Sequence, residues 1–263
     1  MDNLFIIKVG GSVITDKTSD VPKVNYENLE RVAEEIGKAY KNGQKRMILV
    51  HGAGSYGHPI VKRSGIHKGI VNEEQVHAFA ETQRLQNHLN SIVTRILIEN
   101  NIPAIPYQAS SNAIMKNNKL VSIDLEAIKG FLKVGLVPVL FGVPTYDKET
   151  GCSILSGDVI APYLAKNLEA KKIIHVTDVN GVYSSDPKKD PSAKPIGLIT
   201  KENLPEILKS LSGSSNTDIT GGMERKLKEL LEVGIDSQIV GIQTKDGIER
   251  SINGENVGTI IKA

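Results

Sequence analysis

Apolar residues recur along the chain in two rhythms. Short runs rich in apolar residues at Leu4 to Val9, Met47 to Val50, Leu136 to Phe141 and Lys171 to Val176 read as buried strands. Between them, Leu29, Val32, Ala33 and Ile36 recur at helical spacing, so a helix is expected over Asn25 to Tyr40, with Asn42-Gly43 as its stop. Glu73 to Ile98 predicts a long helix with Val76, Phe79, Ala80, Leu85, Leu89, Ile92, Ile96 and Leu97 on its apolar face. Further helices are expected at Asp124 to Lys133, Gly157 to Asn167, about Lys201 to Leu211, and from Thr220-Gly221-Gly222-Met223 to Val233. Closing strands are expected near Gln238 to Ile242 and Val257 to Ile261. Strands alternating with helices predict an α/β fold around a mostly parallel sheet.

The connections carry their own signals. Thr145 to Ile154, with Asp147 and Gly151 between short β-like runs, predicts a surface hairpin, and Pro187, Pro191 and Pro195 among charged residues predict an exposed loop. Ser212 to Gly222 is expected to be a loop. No internal repeat or break in composition divides the chain, so one domain over 1–263 is expected, its seam near Gly142 to Gly157.

Composition narrows the function classes. Among 263 residues, 40% are hydrophobic, 24% charged, and 32 basic residues nearly balance 30 acidic ones, which argues against a basic face for nucleic acid. The lone cysteine, Cys152, cannot close an intramolecular disulfide and suits a reducing, cytoplasmic setting. A secretory leader and a membrane span are not expected, because the first residues and every apolar run lack the needed pattern and length.

Two glycine-rich turns follow predicted strands, Gly10-Gly11-Ser12 and Gly52-Ala53-Gly54. Turns of this kind expose main-chain N–H groups to phosphate oxygens. Lys8, an ammonium inside an apolar strand two residues before Gly-Gly, fits an anion site better than a core. Gly52 to Gly57 also matches the G-x-G-x-x-G dinucleotide fingerprint, but the acids at Glu73 and Glu74 open a helix instead of ending a second strand, so a dehydrogenase fits poorly. A Walker-type phosphate loop is absent. Taken singly, Asp178 to Gly181 is as readily a plain turn, and Gly221-Gly222 a helix-start loop.

The order of these motifs is more specific than any one of them. Lys-x-Gly-Gly-Ser from Lys8, His51-Gly52-Ala53-Gly54, Ser156-Gly157-Asp158, Thr177-Asp178-x-x-Gly181-Val182 and Gly221-Gly222-Met223 followed by Lys226 resemble the amino-acid-kinase family over essentially the whole chain. The resemblance implies a three-layer αβα sandwich, an acceptor lobe about 1–155 and an ATP lobe about 156–263. Lys17, Gly57-His58-Pro59, Leu211 to Ser214 and Asp218 to Met223 are similar to the isopentenyl phosphate kinase branch. That branch implies transfer from ATP to isopentenyl phosphate, with Mg2+, in a cytoplasmic homodimer of isoprenoid biosynthesis.

By that resemblance Lys8, Lys17, His58 and Asp158 are catalytic. Lys8, Gly10, Gly11, Ser12, Thr177, Asp178, Gly181, Gly222 and Lys226 bind ATP, and Ala53, Gly54, His58 and Gly157 bind the acceptor. The metal is held by phosphates and water rather than by protein. His58 is expected to donate a charged hydrogen bond to the acceptor phosphate, whereas His67, His77, His88 and His175 are expected to be surface or satisfied core residues. Two departures from the family pattern stand out: alanine at position 53, and Val159 where a second acid often follows Asp158. The alternatives are a fosfomycin kinase or another small-molecule kinase of the same fold, and a non-catalytic nucleotide-binding regulatory or storage protein.

Overall fold

The computed structural model describes residues 3–16, 18–187, 189–212 and 217–262. Strand β1 (Phe5–Val9) leads through a one-turn helix α1 (Gly11–Ile14) to α2 (Tyr26–Lys41), whose first turn is capped by the Asn25 side chain accepting from the Asn28 N–H. Strand β2 (Met47–His51) is followed by a short helix α3 (His58–Ser64) and the long α4 (Glu73–Glu99), capped in the same way by Asn72. Then come β3 (Ala104–Pro106), β4 (Ala113–Lys116), β5 (Lys119–Ile123), α5 (Glu126–Lys133), β6 (Val137–Phe141), β7 (Val143–Thr145) and β8 (Ser153–Leu155). The remainder comprises α6 (Gly157–Asn167), β9 (Lys172–Thr177), β10 (Val182–Tyr183), β11 (Pro195–Ile196), β12 (Leu198–Ile199), α7 (Leu204–Ser212), α8 (Thr217–Val233), β13 (Ser237–Gly241), α9 (Gly247–Ile252) and β14 (Thr259–Ile261).

Eight strands form one sheet in the order β12-β14-β13-β9-β1-β2-β6-β3, parallel except where β13 meets β14. Both faces are covered, and period-two alternation divides each strand between two apolar layers. Phe5, Ile7 and Val9 face a layer closed by α2, α4 and α9; Leu4 and Ile6 face one closed by α5, α6 and α8. Parity then sends Lys8 to the α6 layer, together with His175, its direct partner on β9, and sends His51 to the α4 layer. From β1 the chain builds β2 on one side and β9 on the other. The crevice at the carboxyl end of β1 is therefore the topological switch point where α/β sheets bind ligands.

Four local expectations are corrected. The hairpin formed by β7 and β8 is at the surface only at its turn, where Tyr146, Lys148 and Glu149 are exposed: Thr145, Asp147 and Ser153 are fully buried, and Asp147 accepts main-chain N–H bonds from Asn117, Asn118 and Glu149 and ties two hairpins together. Helix α8 starts at Thr217, so Gly221-Gly222 lies within it rather than opening it. Pro195 opens β11, which pairs with β10, at a site where no ladder N–H is required of it. The short helices α3 and α9 were not expected; six or seven residues are too few for a periodic signal.

Candidate active site

The two glycine turns stand back to back at the ends of β1 and β2. A β-carbon on Gly11 would lie 2.4 Å from the Gly54 nitrogen, and one on Gly52 would lie 2.5 Å from the Gly11 nitrogen, so neither position admits a side chain. Gly54 also has φ +51°, the left-handed region that glycine occupies freely. Ala53 adopts ordinary right-handed backbone, which explains how its methyl is accommodated where its neighbours must be glycine. Thr15 fastens the pair, donating from Oγ1 to the Gly11 carbonyl at 2.8 Å and accepting the Ser55 N–H at 3.1 Å. The start of α1 leaves the Gly11 and Ser12 N–H groups outside the helical ladder, facing the crevice end of β1.

His51 anchors the second turn from below. It is fully buried, stacks on Phe141 at 5.5 Å, and its Nδ1 lies 3.1 Å from the Gly52 carbonyl. Asn90 of α4 donates its side-chain amide to His51 Nε2 and to the Val139 carbonyl, both at 3.1 Å. With Nε2 accepting, the ring proton sits on Nδ1 and donates to Gly52, and burial lowers the pKa to about 4, so the ring is neutral. In the sequence His51 stands out only as the first residue of the His51-Gly52-Ala53-Gly54 motif, with no role of its own, and nothing singles out Thr15 or Asn90.

Beside the turns, Asp158 gathers positive charge. Its Oδ1 lies 2.9 Å from Lys8 Nζ and 3.3 Å from Lys226 Nζ, with His175 Nδ1 at 3.9 Å. Lys8 reaches it from β1, Lys226 from α8, and Asp158 itself stands in the first turn of α6, where a carboxylate complements the helix dipole. Burial alone would raise the Asp158 pKa, yet Lys8, Lys226 and His175 together hold it well below the usual carboxylate range. Lys8, by contrast, is pulled below the usual lysine value by burial and by the charge of Lys226, which outweigh Asp158. Gly157 lets α6 start close against β2, since a β-carbon there would lie a tight 3.3 Å from Val50 Cγ1.

His175 departs from the expectation of a satisfied core residue. It is fully buried beneath this cluster, neither ring nitrogen has a hydrogen-bond partner among the described residues, and burial with Lys226 lowers its pKa to about 3. The structure therefore adds a neutral imidazole to the underside of the charge cluster. His67, His77 and His88 are exposed, as expected.

A cavity of about 160 Å³ opens between the turns and the cluster. Lys8, Gly11, Gly52, Ala53, His58 and Asp158 line it together with the apolar Val61, Val143, Pro144 and Ile154 and with Thr82 and Gln86 of α4. Val76 and Ala80, expected on the apolar face of α4, are exposed instead. Ser156 Oγ, buried and unpartnered, also faces this space. His58 stands at the mouth with its ring open to solvent, and the surrounding protein and the Lys8 charge both lower its pKa. The charged donor expected there thus requires an acceptor anion to restore its proton.

On the far side of β1, Gly10 donates to the Val176 carbonyl at 2.9 Å, joining the first turn to the end of β9. There Thr177 Oγ1 donates to the Val179 carbonyl, and Asn180 Oδ1 accepts from the Gly241 N–H and Thr244 Oγ1, docking the segment that carries Asp178 and Gly181 onto β13. Gly181 has φ +97°, and a β-carbon would lie 2.6 Å from Thr259 Oγ1. Lys17 lies outside the described residues, and Gly222 is placed only as part of α8.

The chain and its fold have counterparts among known proteins. Isopentenyl phosphate kinase of Methanothermobacter thermautotrophicus is 38% identical over 263 residues, covering 97% of each chain. That of Methanocaldococcus jannaschii is 39% identical over 268 residues, covering 98% of each. X-ray structures of isopentenyl phosphate kinase superpose with a TM-score of 0.84 at 34% identity, over 99% of this chain and 100% of that one. A sequence model of the amino acid kinase family matches residues 3–241, from before β1 to the end of β13, and so takes in both glycine turns, Asp158 and Lys226: the chain belongs to the amino acid kinase family.

Proposed function

We propose that the protein transfers the γ-phosphoryl group of ATP to isopentenyl phosphate, giving isopentenyl diphosphate and ADP. The observation that carries this reading is the Lys8–Asp158–Lys226 cluster beside a small cavity that Lys8 and Asp158 line together with the apolar Val61, Val143, Pro144 and Ile154. Full-length similarity to isopentenyl phosphate kinases supports the same acceptor.

Phosphoryl transfer asks for alignment and for compensation of negative charge. An anionic oxygen of the acceptor phosphate attacks the γ-phosphorus, the bond to the β,γ-bridging oxygen breaks, and that oxygen leaves with the electron pair on ADP. A phosphate monoester has a second pKa near 6, so the attacking oxygen needs no general base at neutral pH. Lys8 and Lys226 hold the β- and γ-phosphates, Lys17 meets the transferring group, and Asp158 orients the two ammonium groups. Gly11 and Ser12 supply main-chain donors and Gly10, whose own N–H is taken by the Val176 carbonyl, borders the phosphates without donating, while Thr177, Asp178, Gly181 and Gly222 border the nucleoside side. Ala53, Gly54 and Gly157 border the acceptor phosphate, and His58 donates to it once its charge has raised the imidazole pKa.

In this reading residues 1–155 carry the acceptor and residues 156–263 carry ATP. Asp158 Oδ1 is committed to ammonium groups. Mg2+ would come with the nucleotide, held chiefly by its phosphate oxygens and water, and would neutralise phosphate charge there. We assign the protein to the cytoplasm as a homodimer. No described helix is long and apolar enough to cross a membrane, Cys152 is buried with its thiol pKa pushed up to about 12 by burial, and α4 exposes Val76 and Ile98 as a pairing face.

The test is ADP formation with MgATP and, in turn, isopentenyl phosphate, dimethylallyl phosphate, fosfomycin and glutamate. Turnover dependent on isopentenyl phosphate is expected; turnover with glutamate or fosfomycin alone would refute the acceptor assignment.

A further inference from the structure

The inner face of α4 is unusually polar. Thr82, Gln86, Asn90 and Thr94 recur every fourth residue and are all buried, forming one stripe directed into the protein. Three of the four have partners. Thr82 Oγ1 donates to the Ala78 carbonyl, Thr94 Oγ1 donates to the Asn90 carbonyl, and Asn90 holds His51 and Val139. Gln86 does not: it is fully buried, and neither Oε1 nor Nε2 has a hydrogen-bond partner among the described residues.

The unpartnered carboxamide lines the acceptor cavity. Its Nε2 abuts Gly57, where a β-carbon would lie 2.2 Å away, so the glycine is what admits the amide beside His58. A hydrocarbon chain filling this space would leave both amide ends without a partner. A phosphate dianion offers acceptors only, so it could meet Nε2 while leaving Oε1 unpaired. A hydroxyl group is donor and acceptor at once and answers both atoms.

We propose that Gln86 is a specificity-determining residue that fits the cavity to a second class of acceptor: a short-chain phosphate monoester carrying a hydroxyl group on its carbon chain. The phosphate lies at the glycine turns and His58, and the hydroxyl lies against the Gln86 amide. Phosphoryl transfer to such an acceptor is the reaction described above, with the same bonds made and broken. The proposal rests on the assignment of this cavity to the acceptor.

The experiment measures kcat/KM at saturating MgATP for isopentenyl phosphate and for five-carbon monophosphates bearing one hydroxyl at C2, C3 or C4. It uses the full-length wild type and Gln86→Met, a change that nearly conserves volume. At least one hydroxylated acceptor should match or exceed isopentenyl phosphate in the wild type. In Gln86→Met the ratio of that acceptor to isopentenyl phosphate should fall by about tenfold to a hundredfold, chiefly through KM, because a site built to bond a hydroxyl discriminates against its absence. The proposal is overturned if every hydroxylated acceptor lies below isopentenyl phosphate in the wild type, or if the substitution changes the ratio less than tenfold. Should Gln86→Met not fold, the wild-type comparison decides alone. No turnover with any monophosphate overturns the kinase assignment as well, whereas turnover confined to isopentenyl phosphate overturns this inference only.

Discussion

Replacing Asp158 with asparagine keeps the shape of the side chain and removes the charge that two ammonium groups share. At an effective dielectric constant of about 20, unit charges separated by 2.9 and 3.3 Å attract by roughly 6 and 5 kcal/mol. Desolvation offsets much of this, and removing one partner of a buried ion pair costs about 3–5 kcal/mol. For a chain of this length that corresponds to a Tm lower by on the order of 10 °C. The Asp158 pKa lies below its unfolded value, so this contribution is complete above about pH 4 and is lost as pH falls through the folded pKa. The variant's deficit should therefore be full at pH 7 and shrink in acid. ATP phosphates replace part of the missing negative charge, so MgATP should raise the Tm of the variant more than that of the wild type, while kcat drops because the lysines are no longer aligned. Calorimetry across pH with and without MgATP, paired with turnover, is the assay. A Tm within 2 °C of wild type with near-normal kcat would refute the claim that Asp158 holds the cluster together.

His51 and His175 are neutral in the folded protein, with pKa values lowered to about 4 and about 3, while their unfolded values lie near 6.5. The unfolded chain binds more protons between these limits, so stability should fall as pH drops from about 6.5 toward 4, by about 3 kcal/mol for His51. Replacing His175 with phenylalanine should flatten part of that slope in urea titrations; an unchanged slope would count against a buried neutral ring. Gly54→Ala should cost at least about 1–2 kcal/mol from its left-handed φ alone, and more because the new β-carbon would lie 1.8 Å from Thr15 Oγ1; a Tm equal to wild type would show that the turns are not fastened as described. His58→Ala should weaken the acceptor by roughly 1.5–3 kcal/mol while leaving ATP affinity nearly intact, and His58→Asn should recover part of it. Because the free-enzyme pKa of His58 is lowered, kcat/KM should decline on its alkaline side from below pH 6.5; unchanged acceptor affinity in the alanine variant would make the histidine structural.

The sequence alone determined the elements whose residues answer to a single local rule. Short runs rich in apolar residues marked β1, β2, β6 and β9, because a strand covered on both faces has little need of a polar side to alternate with. The glycine pairs and Lys8 pointed to the phosphate crevice, since backbone without side chains and an ammonium in an apolar strand both demand a special neighbour. Tertiary structure decided what each face meets. In α4, Val76 and Ala80 belong to the apolar face that periodicity marks and are exposed, whereas Gln86 and Asn90 lie outside that apolar set and are buried, because the helix packs over His51 and the cavity. Periodicity fixes which residues share a face; it cannot say whether that face will find carbonyls, an imidazole or a ligand to bond. The same holds for His175: its parity with Lys8 was latent in the alternation of the strands, but the register of β9 on β1, set by pairing between residues far apart in the chain, placed it under Asp158.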